Sequence, residues 1–138
     1  MEYIELIARA VIRKNDELLL AHKIVEPNTF LPGGHIEYAE YSDYALLREL
    51  HEELGINAEI KSFMGVQEYL FKQHGKSHHE INLIYEATIS SEGESKEKGL
   101  EFLWCRLDQL EAKNLLPESL PKLIREYYKT GKIFHKIQ

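Results

Sequence analysis

The chain has 138 residues, with 23 acidic and 17 basic side chains and a formal charge of −6. A content of 43% hydrophobic and 29% charged residues excludes a disordered chain and suits one domain spanning 1–138. The acidic balance argues against binding nucleic acid through its backbone, and no apolar run approaches the roughly 18 residues of a membrane span.

The N-terminal stretch MEYIELIARAVIRKND places acids ahead of its apolar residues, unlike a secretory signal. Residues 3–13 read as a strand, because Ile4, Leu6, Ala8, Ala10 and Ile12 alternate with Tyr3, Glu5, Arg9 and Arg13. Asn15-Asp16 signals a turn, and 17–23 form a second short apolar run ending at Lys23. A loop follows, with Pro27, Asn28, Pro32, Gly33 and Gly34. The spacing of Leu46, Leu47, Leu50 and Leu54 predicts a helix over 43–54, with Ser42 as its N-cap and Gly55 as its stop.

Residues 58–72 read as extended, with a bulge at Gly65, and 73–79 (QHGKSHH) as a polar loop. Residues 80–89 alternate again, 90–99 form a charged loop, and 100–107 form a strand. A second helix is expected over 118–129, with Pro121 tolerated in its first turn. This order of elements suggests an α+β fold, a mixed sheet sandwiched by helices. The lone Cys105 forbids an internal disulfide and points to a reducing, cytoplasmic setting.

The charge is concentrated. Gly34 to Ile56 holds Glu37, Glu40, Asp43, Glu49, Glu52 and Glu53 against a single Arg48, a net −5 in 23 residues. The other 115 residues carry 17 acids and 16 bases, a net −1. On a helix, Glu49, Glu52 and Glu53 share the side opposite the leucines. Like charges at this spacing weaken a helix by about 0.2–0.5 kcal/mol per pair. Oxygen ligands of this kind suit hard cations such as Mg²⁺. Taken alone, such a face is more often simply solvated.

The spacing decides between the two readings. The segment resembles the signature of the Nudix hydrolase family, G-x5-E-x7-R-E-U-x-E-E-x-G-U, where U is bulky and apolar. Gly34 leads after five residues to Glu40, then after seven to Arg48-Glu49; Leu50, Glu52-Glu53, Gly55 and Ile56 complete it. Chance would produce such a match on the order of once in 10⁹ windows.

The resemblance implies an α/β/α sandwich that hydrolyses a nucleoside diphosphate linked to another group X, or a nucleoside triphosphate, with Mg²⁺ or Mn²⁺. It implies metal ligation by Glu49, Glu52 and Glu53, with the Gly33 carbonyl and Glu40 in support. Arg48 would orient the glutamates, and Gly34 would lie against the substrate. The general base stays open among Glu49, Glu53, Glu97 and Glu101, and Glu97 reads more readily as a plain loop acid. Lys23 either faces phosphates or is a surface lysine. His74, His78 and His79 lack the spacing of a zinc site. Phe102, Tyr85 and Trp104 read as core in preference to base-stacking groups. Expected partners are a small nucleotide or nucleotide-sugar substrate and, by resemblance, a second copy in a homodimer. Known subgroup markers downstream of the signature are missing: Lys72, Gln73 and His74 stand there. The alternative is a non-catalytic nucleotide-sensing or partner-binding domain.

Overall fold

The computed structural model describes residues 2–138. The first alternating run forms β1 (Glu5–Lys14), which turns through Asn15 into β2 (Glu17–Lys23). A short β3 (Gly33–His35) precedes α1 (Ser42–Leu54). Two long strands follow, β4 (Ala58–Gln73) and β5 (Lys76–Ile89), then β6 (Leu100–Arg106), α2 (Leu120–Thr130) and β7 (Phe134–Ile137).

Among the described residues, seven strands make one mixed sheet in the order β6-β2-β1-β5-β4-β7, with β3 also alongside β1. β1 is the organiser. It runs parallel to β5, pairing Leu6 with Ile81 and Arg9 with Ile84, and antiparallel to β3, pairing Arg9 with Gly33.

Both faces of the sheet are covered. Ala8, Ala10, Ile12 and Leu19 pack beneath Leu46, Leu50 and Leu54 of α1. Val11, Leu18, Leu20, Met64 and Ile84 pack beneath Leu120 and Ile124 of α2. Burial of each such leucine or isoleucine contributes about 1.5–3 kcal/mol. The layers are those of the expected α/β/α sandwich.

Local details depart from the sequence expectation at four places. Residues 76–79 are strand, because His74 and Gly75 both take positive φ (53° and 75°) and close a two-residue hairpin between β4 and β5. Gly33-Gly34, expected in a loop, pair with β1. Ser42 is not the N-cap: Tyr41 holds that position, and the Ser42 hydroxyl instead bonds the Tyr85 hydroxyl at 2.6 Å. β7 was not anticipated at all. The expected irregularity at Gly65 is present as a register shift between Phe63 and Gly65, where Phe134 of β7 fills the space a side chain would need. Tyr85, Phe102 and Trp104 are half-buried against the core under α1.

Candidate active site

The acidic window does not form a single patch. Arg48 divides it. Its Nε and Nη2 donate to the two Glu40 oxygens at 2.7 and 2.8 Å, a bidentate clamp. Its Nη1 donates to Glu49 at 3.0 Å and to Glu52 at 3.3 Å, and Nη2 also reaches the His35 carbonyl at 3.1 Å. These bonds to Arg48, with a backbone N–H from Glu37 assisting, pull the Glu40 carboxyl down to about 2. Hydrogen bonds donated to Glu40 and Glu49 hold the guanidinium firmly charged. Glu40 and Glu52 thus face Arg48 and do not line the cleft.

Glu49 and Glu53 do line it, four residues apart on one face of α1. Burial, a hydrogen bond donated by Glu53 to Glu49, and the Glu49 charge push the Glu53 carboxyl up to about 8. Arg9 opposes this shift, and the Glu97 charge adds to it. Beside Glu49, the Glu53 carboxyl therefore holds its proton well above the usual carboxylate range. Among the described residues, no three His, Cys, Asp or Glu side chains converge into a ready-made cation cage.

The backbone at β3 allows this close packing. A Cβ on Gly34 would sit 2.4 Å from the Glu49 carboxyl carbon. Gly33, with φ of 140°, lies flat on β1: a Cβ there would fall 2.0 Å from the Ala8 carbonyl oxygen. Two adjacent glycines let helix and sheet meet at the cleft.

The cavity measures about 470 Å³, within the roughly 300–1,000 Å³ usual for ligand clefts. Arg9 of β1 lies deep in it, with Nη1 donating to the Leu31 carbonyl at 3.1 Å and its guanidinium 5.3 Å from the Phe30 ring centre. Burial lowers the Arg9 pKa, while the charges of Glu80, Glu53, Glu49 and Glu5 resist the shift. Lys23 lines the cavity at the end of β2, and Glu97 does so from the charged loop. Glu101 does not, because it pairs with His22 at 2.7 Å. His74 binds Glu26 and His78 binds Glu5, so these two histidines are separately engaged.

Arg9, Gln67, Glu80 and Asn82 escaped the sequence reading. A signal existed for Arg9. Ile7 and Val11 flank it on the second face of β1, so from Ile7 to Val11 a single charge stands on a stretch otherwise apolar on both faces. Such a charge is costly unless it meets counter-charges or a ligand.

The NUDIX domain family model matches residues 5–127. This chain belongs to the Nudix hydrolase family and is an enzyme of that class. Among solved structures it is similar to a NUDIX hydrolase from Nitrosomonas europaea, with 20% identity, a TM-score of 0.76, and coverage of 95% of this chain and 93% of that one. It is similar to a MutT NUDIX hydrolase from Burkholderia pseudomallei at 27% identity and a TM-score of 0.68, covering 78% of this chain and 86% of that one. An ADP-ribose pyrophosphatase from Streptococcus suis shares the fold at 16% identity and a TM-score of 0.72, covering 97% of this chain and 98% of that one. Comparison with curated proteins finds no match. Among the described residues, no helix is long and apolar enough to cross a membrane.

Proposed function

We propose that this single Nudix unit hydrolyses a pyrophosphate bond in a nucleoside diphosphate linked to X, or in a nucleoside triphosphate, by attack of water on phosphorus. The reading is carried by the Glu49–Glu53 pair in the wall of a cavity that also holds Arg9, Lys23 and Lys72. Carboxylates suit a cation and a water, and basic groups suit phosphate oxygens.

The donor set fits a hard divalent cation such as Mg²⁺ or Mn²⁺. Every group on offer is an oxygen, and the Glu53 carboxyl, pushed up by burial and by the Glu49 charge, has unused affinity for positive charge. Glu49, Glu53 and the Gly33 carbonyl would hold the ion, joined by Glu52 if it turns from Arg48. When bound, the cation would polarise phosphoryl oxygens and acidify a water.

The remaining work falls to this chain's own side chains. Arg48 fixes Glu49 against rotation and keeps Glu40 in place behind it. Arg9, Lys23 and Lys72 neutralise the charge that spreads over the phosphoryl oxygens. The Glu97 carboxylate has no side-chain partner among the described residues and lines the cavity, so it is the group available to accept the proton of the attacking water. The lone buried Cys105 suits a cytoplasmic setting.

The test is turnover of a nucleotide panel with Mg²⁺ by the native enzyme and by Glu53→Gln. The variant should lose on the order of 10³-fold in kcat, as when a key electrostatic group is removed. Equal rates from both would overturn the assignment of Glu53.

A further inference from the structure

We infer that the inner end of the cavity selects a nucleobase whose buried edge presents adjacent N–H donors, as guanine does, over one whose edge lacks them. This deepens the nucleotide-hydrolase reading and rests on it.

The starting observation is Gln67. Its side chain is fully buried, it lines the cavity, and its Oε1 has no hydrogen-bond partner among the described residues. Its amide nitrogen is committed elsewhere, donating to the Ser119 hydroxyl at 2.7 Å and reaching Gln138 Oε1 at 3.5 Å. Both contacts hold the nitrogen away, so the oxygen is the end left for a ligand.

Gln67 does not stand alone. Asn82 lies directly across from it on β5, and Glu80 sits diagonally across, opposite Tyr69. Diagonal neighbours on one sheet face are within joint reach of a planar ligand. Asn82 spends one N–H on Glu80 Oε1 at 3.2 Å, which leaves the second Glu80 oxygen open. The floor therefore offers acceptors from both Gln67 and Glu80.

Flat walls complete the site. Phe71 stacks on Tyr69, with ring centres 4.5 Å apart and planes inclined by 24°, and on His78 at 4.7 Å; Phe30 lines the cavity together with Phe71. Aromatic walls admit any base face. Discrimination then falls to the edge. Guanine carries N1–H and a 2-amino group next to each other, whereas hypoxanthine lacks the amino group and leaves one acceptor unmet. A site built to hydrogen-bond a donor rejects the analogue that lacks it, because its own buried group stays unpaired.

The experiment is calorimetric binding of guanosine diphosphate and inosine diphosphate, which requires no turnover. The native protein should bind the guanosine ligand about tenfold more tightly, the effect of one hydrogen bond to a buried acceptor. Gln67→Met and, separately, Glu80→Gln should bring the ratio to within about twofold; melting curves show whether each variant is folded. Glu80 is only half-buried, so its variant keeps the test open if Gln67→Met does not fold. Equal native affinities, no binding of either ligand at millimolar concentration, or a ratio unchanged in Glu80→Gln would each overturn the inference. Hydrolysis is scored separately: a guanosine preference without turnover would uphold this selectivity and refute the catalytic reading.

Discussion

The backbone N–H of Lys96 donates to the carbonyl oxygen of Glu53 at 2.7 Å. Carbonyls in the last turn of a helix have no partner within it. Here one of them anchors the charged loop that carries Glu97. A second contact lies beside it, where Gly93 packs so closely that a Cβ would sit 2.3 Å from the Leu54 carbonyl oxygen. The loop bearing the proposed proton acceptor is thus fastened to the helix bearing the proposed metal ligands.

Gly93→Ala should lift this loop. The obstructing atom is backbone, so it cannot swing aside. A displacement near 1 Å at a reacting group costs up to about 10²-fold in rate. The expected result is a fall in kcat with little change in KM, together with faster amide exchange at Lys96. Unchanged kcat would mean that the position of Glu97 does not matter.

The paired glycines of β3 should respond differently to alanine. At Gly34 the obstacle is the end of the Glu49 side chain, which can move. Gly34→Ala should therefore fold with a melting temperature close to native but lose on the order of 10²-fold in kcat, because Glu49 is displaced. At Gly33 the obstacle is the β1 backbone and φ is 140°. Gly33→Ala should instead lower the melting temperature sharply. A reversed pattern would contradict the packing described.

Arg48→Lys should be far from conservative. Lysine cannot reproduce the two-pronged contact with Glu40 while also reaching Glu49 and Glu52. Activity should fall on the order of 10²-fold, with the loss in kcat more than in KM, because Arg48 orients the glutamates and does not line the cavity. A KM-only effect would indicate direct substrate contact.

The metal-free protein should lose stability as pH rises from about 4.5 to about 8. Glu53 has an ordinary value of 4.5 when unfolded and is pushed up to about 8 when folded. Between those values the folded state holds a proton that the unfolded state has released, so stability falls with increasing pH. Melting curves in chelator at pH 5 and pH 8 measure this, and Glu53→Gln should flatten the dependence. Adding millimolar Mg²⁺ at pH 8 should raise the native melting temperature, since a ligand of the folded state alone stabilises it. No Mg²⁺ response would argue against a cation site at this pair.

The parts of the molecule legible in its sequence are those with local, periodic signals. The leucine spacing placed α1 within one residue, since 43–54 became Ser42–Leu54. Alternation marks β1 and most of β5, 58–72 reads as extended and covers most of β4, and Pro121 does sit in the first turn of α2. What stayed hidden depends on distant partners. Gly33-Gly34 carry no strand pattern and become strand only by lying against β1. β7 is four residues long and exists by parallel pairing with β4. That Glu52 lies outside the cavity while Glu49 and Glu53 line it could not be read from helical spacing alone. The polar floor of Gln67, Glu80 and Asn82 is assembled from two strands whose polar residues look like ordinary outward-facing ones.

The pairing of β1 with β5 has a consequence for the order of folding. Leu6 and Ile81 meet across 75 residues of chain, and parallel pairing over such a span forms late. Arg9 reaches its place only when that pairing closes, whereas α1 can form from local contacts. Early in folding the acidic helix therefore has no Arg9 behind it and no floor beneath it. The cavity needs this long-range pairing in order to exist, so a chain that has not yet made it has a recognisable signature but no site.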